Sequence, residues 1–215
     1  IMAAGTYSKG NGEADSVITL SQSNVTILGT HDLSIGPSNI STFIDGTGAT
    51  TWTTGIKIYG SNVTIKNLSI TNFSSYGIHI SELSGNEILN CKVHDNNTGI
   101  EITYSSNCTV QHCEIYNNAY GLNINLCTTG VEIFSNSIHG NELDGGGVGV
   151  GAYNCSPEIK RNKIYDNNAG IRVEAYGSNI ASPEISNNVI YETIPSKMNY
   201  GILIYGSGGT VKPTI

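Results

Sequence analysis

The chain has 215 residues, 38% of them hydrophobic and 13% charged, with a formal net charge of −7. That length suffices for one continuous core, while the acidic balance argues against a nucleic-acid partner, which needs a basic footprint. No apolar run approaches the roughly 20 residues of a membrane span, so none is expected.

The chain opens with "AAGTY", "SVITLSQSNVTILGT" and "STFIDGTG". A unit then recurs. A Gly leads an apolar-x-apolar triplet at Gly55, Gly77, Gly99, Gly121, Gly147, Gly170 and Gly201, at steps of 22, 22, 22, 26, 23 and 31 residues by subtraction. Between these triplets come "VTIKNLSI", "EILNCKV", "TVQHCEI", "EIFSNSI", "EIKRNKI" and "EISNNVI". A fixed period in the low twenties marks a solenoid. The pieces are rich in β-branched residues, and the gaps between them are too short for a crossover helix. The expected fold is all-β: a right-handed, single-stranded parallel β-helix of about 22 residues per coil, with three short strands in each.

Stacking puts equivalent residues of successive coils in columns. Two inward columns are aliphatic: Ile65, Ile88, Val110, Ile133, Ile159, Ile185, and Ile70, Val93, Ile115, Ile138, Ile164, Ile190. A third reads Leu68, Cys91, Cys113, Asn136, Asn162, Asn188, in which buried amides can pass hydrogen bonds from coil to coil. Cys91 and Cys113 are read there as small apolar fillers, since stacked strand neighbours suit disulfide geometry poorly. With five Cys, complete pairing within the chain is excluded in any case. Four Asn-x-Ser/Thr triplets (Asn24, Asn62, Asn72, Asn107) are compatible with a surface life and show nothing more.

The repeats "GIxI…TI…N-x-I-x-N/D-N" resemble the right-handed parallel β-helix of the pectate-lyase-like superfamily, and within it the carbohydrate-binding and sugar-hydrolase repeats, over nearly the whole chain. The resemblance implies a polysaccharide partner and an extracellular or cell-surface setting, with the periplasm as an alternative. It is specific for fold and weak for activity. The Asp pairs and Gly-His-Gly of polygalacturonase-like members have no counterpart in "SSYG", "NNTG", "NAYG", "DGGG", "NNAG" or "MNYG", and the Asp-Pro-His-Asp of epimerase-like members is also missing.

Outward positions of the Gly-led strands form the face on which chemistry is sought. One column reads Lys57, His79, Glu101, Asn123, Gly149, Arg172; beside it run Tyr59, Ser81, Thr103, Asn125, Gly151, Glu174 and Tyr205. His79 and Glu101 stand one coil apart, within reach to tune each other's proton affinity, and Arg172 with Glu174 is the other pair able to act on a sugar. These four are the catalytic candidates, and Lys57, Tyr59, Asn123, Asn125 and Tyr205 the substrate-binding ones. A solvated charge ladder on an exposed face explains the same pattern. A second outward column, Thr71, His94, Tyr116, His139, Tyr165, Tyr191, offers either a sugar platform or simple ring stacking. Asp95, Asp166 and Glu192 beside it leave calcium open as a cofactor. The five His (31, 79, 94, 112, 139) fall in at least three columns, so no metal site is expected.

The expectation is therefore one β-helix domain over residues 1–215 that binds a polysaccharide through the Gly-led face. Cleavage is left open between a lyase and a glycoside hydrolase, and a non-catalytic spacer or adhesin segment is the alternative. "VKPTI" repeats the start of earlier units without the strand that follows them. This suggests a fragment of a longer solenoid whose C-terminal coil associates end to end with another copy.

Overall fold

The computed structural model describes residues 2, 5–8, 16–30, 40–48, 53–142, 146–195 and 197–215. His31 lies outside them. The described chain winds into three parallel sheets, with every main strand pairing to its counterpart one coil away. The Gly-led sheet comprises Ser16–Leu20, Thr54–Ile58, Tyr76–Ser81, Thr98–Thr103, Tyr120–Asn125, Val148–Tyr153, Ala169–Tyr176 and Tyr200–Ser207. A second sheet holds Thr26–Leu28, Thr64–Lys66, Glu87–Leu89, Thr109–Gln111, Glu132–Phe134, Glu158–Lys160 and Glu184–Ser186. The third runs from Gly5–Ser8 and Thr42–Asp45 through Ser69–Thr71, Lys92–His94, Glu114–Tyr116, Ser137–His139 and Lys163–Tyr165 to Val189–Tyr191. Three strands per coil are as expected. Among the described residues, no helix is long and apolar enough to cross a membrane.

The coil length of 22 holds from Ile56 through Ile78 and Ile100 to Leu122. Steps of 28, 21 and 31 follow, to Val150, Ile171 and Ile202. With the longer first step from Ile18 to Ile56, the average rises to about 26 residues. The sequence register slips at one strand: Leu122 pairs Val150, not Val148, so Gly149 is the landmark glycine and Asn123 stacks on Gly151. The slip is a shift of two, which keeps inward residues inward. "GGGVGVG" offers equivalent glycines on either side, and hydrophobic alternation alone cannot choose between them.

The landmark glycines are demanded by space. A Cβ on Gly55, Gly99, Gly121, Gly149 or Gly170 would lie 2.6 Å from the carbonyl oxygen of the next landmark glycine, and on Gly77 2.7 Å from it. The coil corners use the left-handed region. Asn67, Asn90, His112, Ser135, Arg161 and Asn187 all have φ between 50° and 59°, each just before a residue of the Leu68 to Asn188 column. Asn tolerates this region best among non-glycines. The four glycosylation-like triplets also begin at such corners: Asn24, Asn62, Asn72 and Asn107 have φ of 50–65°.

Inside, the aliphatic columns form one core; Ile65, Ile88, Val110, Ile133, Ile159, Ile70, Val93, Ile115, Ile138 and Ile164 are fully buried. The amide ladder is as read. Asn136 Oδ1 accepts from the Cys113 N–H (2.9 Å), Asn162 Oδ1 from the Asn136 N–H (3.0 Å), and Asn188 Oδ1 from the Asn162 N–H (2.9 Å). A second ladder, missed in the sequence, runs through Asn96, Asn118, Asn141 and Asn167. Each Oδ1 accepts the N–H of the residue one coil before, at 3.0–3.1 Å. All five cysteines are free and buried.

Candidate functional site

On the Gly-led sheet the outward side chains border a groove of about 610 Å³. It crosses five coils, from Tyr76 through Thr98, Tyr120 and Tyr153 to Arg172. At the ~4.8 Å spacing of stacked strands that is about 19 Å, room for several linked rings. Tyr76, Thr98 and Tyr120 share a column just ahead of the landmark glycines and make one wall. Leu126 and Asn154, just after their strands, and Tyr176, the last residue of its strand, border the other side.

Glu101 lines the floor, only 7% exposed. Burial pushes its carboxyl up to about 7, against a partial counter-effect from Asn123, whose Nδ2 donates to Oε2 at 2.7 Å. Removing a carboxylate from water disfavours its charged form, so this group can hold or release a proton near neutrality. Asn123 Oδ1 is buried with no hydrogen-bond partner among the described residues. Arg172 Nε donates to Glu174 Oε1, while the guanidinium carbon lies 6.0 Å from the centre of the Tyr153 ring. The same ring leans back over Gly151, where a Cβ would come within 2.4 Å of it. Burial also raises the Tyr153 phenol, keeping it protonated.

Of the nine candidates, the structure brings four together on this groove: Glu101, Asn123, Asn125 and Arg172. Glu174 holds Arg172 but is itself 1% exposed, beneath the surface rather than on it. His79 is the cross-coil partner of both Lys57 and Glu101, yet its ring stacks on Tyr76 (4.8 Å) instead of bordering the groove. Burial first, and then the Lys57 charge, lower its proton affinity, so it is neutral near pH 7. Tyr59 and Tyr205 are more than half exposed and lie outside the groove.

Sequence reasoning missed the tyrosines. Tyr76 and Tyr120 were visible in "SSYG" and "NAYG", where only acids were sought; Tyr153 was hidden by the register slip. The second outward column does stack, with His94, Tyr116, His139, Tyr165 and Tyr191 at centroid spacings of 4.5–5.2 Å and interplanar angles of 3–15°. These rings cover one another's faces, so a sugar would meet only edges, and ring stacking is the better account of the column. Asp95 pairs with His94, Asp166 accepts from the Thr193 N–H, Glu192 accepts from the Met198 N–H, and no three His, Cys, Asp or Glu stand together among the described residues.

Three parallel sheets coiled around stacked amides and aliphatics define a parallel β-helix. The sequence matches the family described as "Right handed beta helix region" at residues 7–154 and 54–214, and the chain belongs to that family. Solved structures share the fold. The enzymatically active domain of tailspike protein 2 of bacteriophage CBA120 is 15% identical, with a TM-score of 0.61, over 98% of this chain and 37% of that one. The pectate lyase Pel9A is 14% identical (TM-score 0.64, 97% and 67% of the two chains). The A-module of the mannuronan C-5 epimerase AlgE6 of Azotobacter vinelandii is 13% identical (TM-score 0.51, 98% and 86%). The chain thus spans little more than a third of the tailspike domain's length. No curated protein matches its sequence.

Proposed function

We propose that this protein binds a polysaccharide along the Gly-led groove, in an extracellular, cell-surface or periplasmic setting. The observation that carries the reading is a buried Glu101 on the floor of a long groove bordered by Tyr76, Tyr120 and Tyr153. Aromatic rings suit the apolar faces of sugar rings, and amides and phenols suit their hydroxyls. The names of the similar structures, a pectate lyase, a C-5 epimerase and a tailspike, support the same class of partner. Where the bound chain is also cleaved or altered, we assign the proton transfer to Glu101, with Arg172, three strands further along the sheet and held by Glu174, contacting the chain beyond the reacting bond.

Glycan-array binding, followed by titration of the best polysaccharide, tests the reading. Tyr120→Ala should weaken binding at least about tenfold. If turnover is detected, Glu101→Gln should lower it by about a hundredfold or more. Binding indifferent to Tyr120→Ala, or absent for every polysaccharide, would favour the structural-spacer alternative.

A further inference from the structure

We infer that the groove selects an uncharged polysaccharide over a polyuronate, an inference that rests on its being a glycan site at all. The argument starts from charge. A polyuronate carries a carboxylate on every sugar and needs cationic donors spaced along the site. Among the described residues lining the groove, Arg172 is the one Arg or Lys, and its Nε is already committed to the buried carboxylate of Glu174. Glu101 on the floor adds a second acid, partly ionised near neutrality and fully above it, so an incoming carboxylate meets repulsion there while the Arg172 charge is already paired.

Asn123 Nδ2, the amide donor beside Glu101, is directed at Glu101 Oε2 rather than at a ligand carboxylate. The tyrosines add ring surface and hydroxyls, with no charge, since burial raises the phenols of Tyr76 and Tyr153 and keeps them protonated. Charge and the uncharged rings therefore point to a neutral chain.

The experiment is a glycan array carrying neutral polysaccharides (glucans, mannans, galactans, xylans) and polyuronates (polygalacturonate, alginate), with titration of the best of each at low ionic strength. The best neutral polysaccharide should bind at least about tenfold tighter than the best polyuronate. That binding should be lost in both Tyr120→Ala and Tyr153→Ala, each first shown to melt as a folded protein. A polyuronate that binds more tightly, and is lost in the same variants, overturns this inference while the groove remains the site. Binding by neither class, or binding that ignores both variants, overturns the groove reading and this inference with it.

Discussion

Glu101 concentrates the site's chemistry into one side chain. Its ordinary value is 4.5, and burial lifts the folded-state value to about 7. The native state therefore binds this proton more tightly than the unfolded chain does. Below about pH 4.5 both states are protonated and the group costs nothing; between there and about pH 7 the cost grows, and above it is fully present. A shift of that size corresponds to on the order of 3 kcal/mol. Glu101→Gln removes the charge and keeps an oxygen for Asn123 Nδ2. The variant should match the wild type at pH 4 and exceed it in stability at pH 8, as read by denaturant midpoints across that range. A constant difference at every pH would show that Glu101 is ionised as readily folded as unfolded.

The elements are held together by columns, and their strength is testable column by column. Asn162 Oδ1 accepts from the Asn136 N–H and Nδ2, and Asn162 Nδ2 donates to Ile133 O and Asn188 Oδ1. Asn162→Leu removes all four bonds; Asn136 Nδ2 keeps Val110 O and Asn188 Oδ1 keeps the Asn162 N–H, but the Asn136 N–H loses its acceptor and Ile133 O this donor, which should cost on the order of 3 kcal/mol. Asn187→Leu, at an exposed left-handed corner with φ 57°, should cost only about 1 kcal/mol. Equal melting shifts would refute the ladder's role. The glycine column makes a sharper contrast. Gly121→Ala drives a Cβ to 2.6 Å from Gly149 O, where backbone must yield, for on the order of 3 kcal/mol. Gly146→Ala meets nothing within 4 Å and should be close to neutral by the same thermal melt. These columns also explain what the sequence could and could not disclose. Coil stacking selects like for like, so the Ile ladders, the Asn162 ladder and the landmark glycines stand out as repeats. The Asn118 ladder did not, because "HDNN", "YNNA" and "YDNN" place a left-handed corner residue beside a buried amide, and composition cannot tell the two apart. The groove was half legible: Glu101, Asn123, Asn125 and Arg172 follow from outward alternation. Tyr153 required knowing that Gly149, not Gly147, meets Gly121.

At the scale of the whole molecule, the columns make an axis along which each coil shields the next, and the last Gly-led strand is shielded on one side only. Tyr200–Ser207 pairs with Ala169–Tyr176 and has no strand beyond it among the described residues. Ile202 and Ile204 continue the inward positions of Ile171 and Val173, which are fully buried, yet Ile204 is 42% exposed and Ile202 only partly covered. Val189, Tyr200 and Tyr205 add more than half-exposed apolar surface at the same end. An open strand edge beside uncovered core residues is a template for a further strand. A polypeptide of these 215 residues alone is expected to associate with a second copy of itself through this edge. Light scattering across a concentration series should show the apparent mass rising above that of one chain. Leu203 projects outward in the Arg172 column, so Leu203→Lys adds charge to the edge without entering the core. That variant should restore a single-chain mass and leave the melting temperature within a few degrees, because surface changes away from packed groups cost little. A wild-type chain that stays monomeric at high concentration would rule this association out. An assembly that persists in Leu203→Lys would move the contact to another surface of the solenoid.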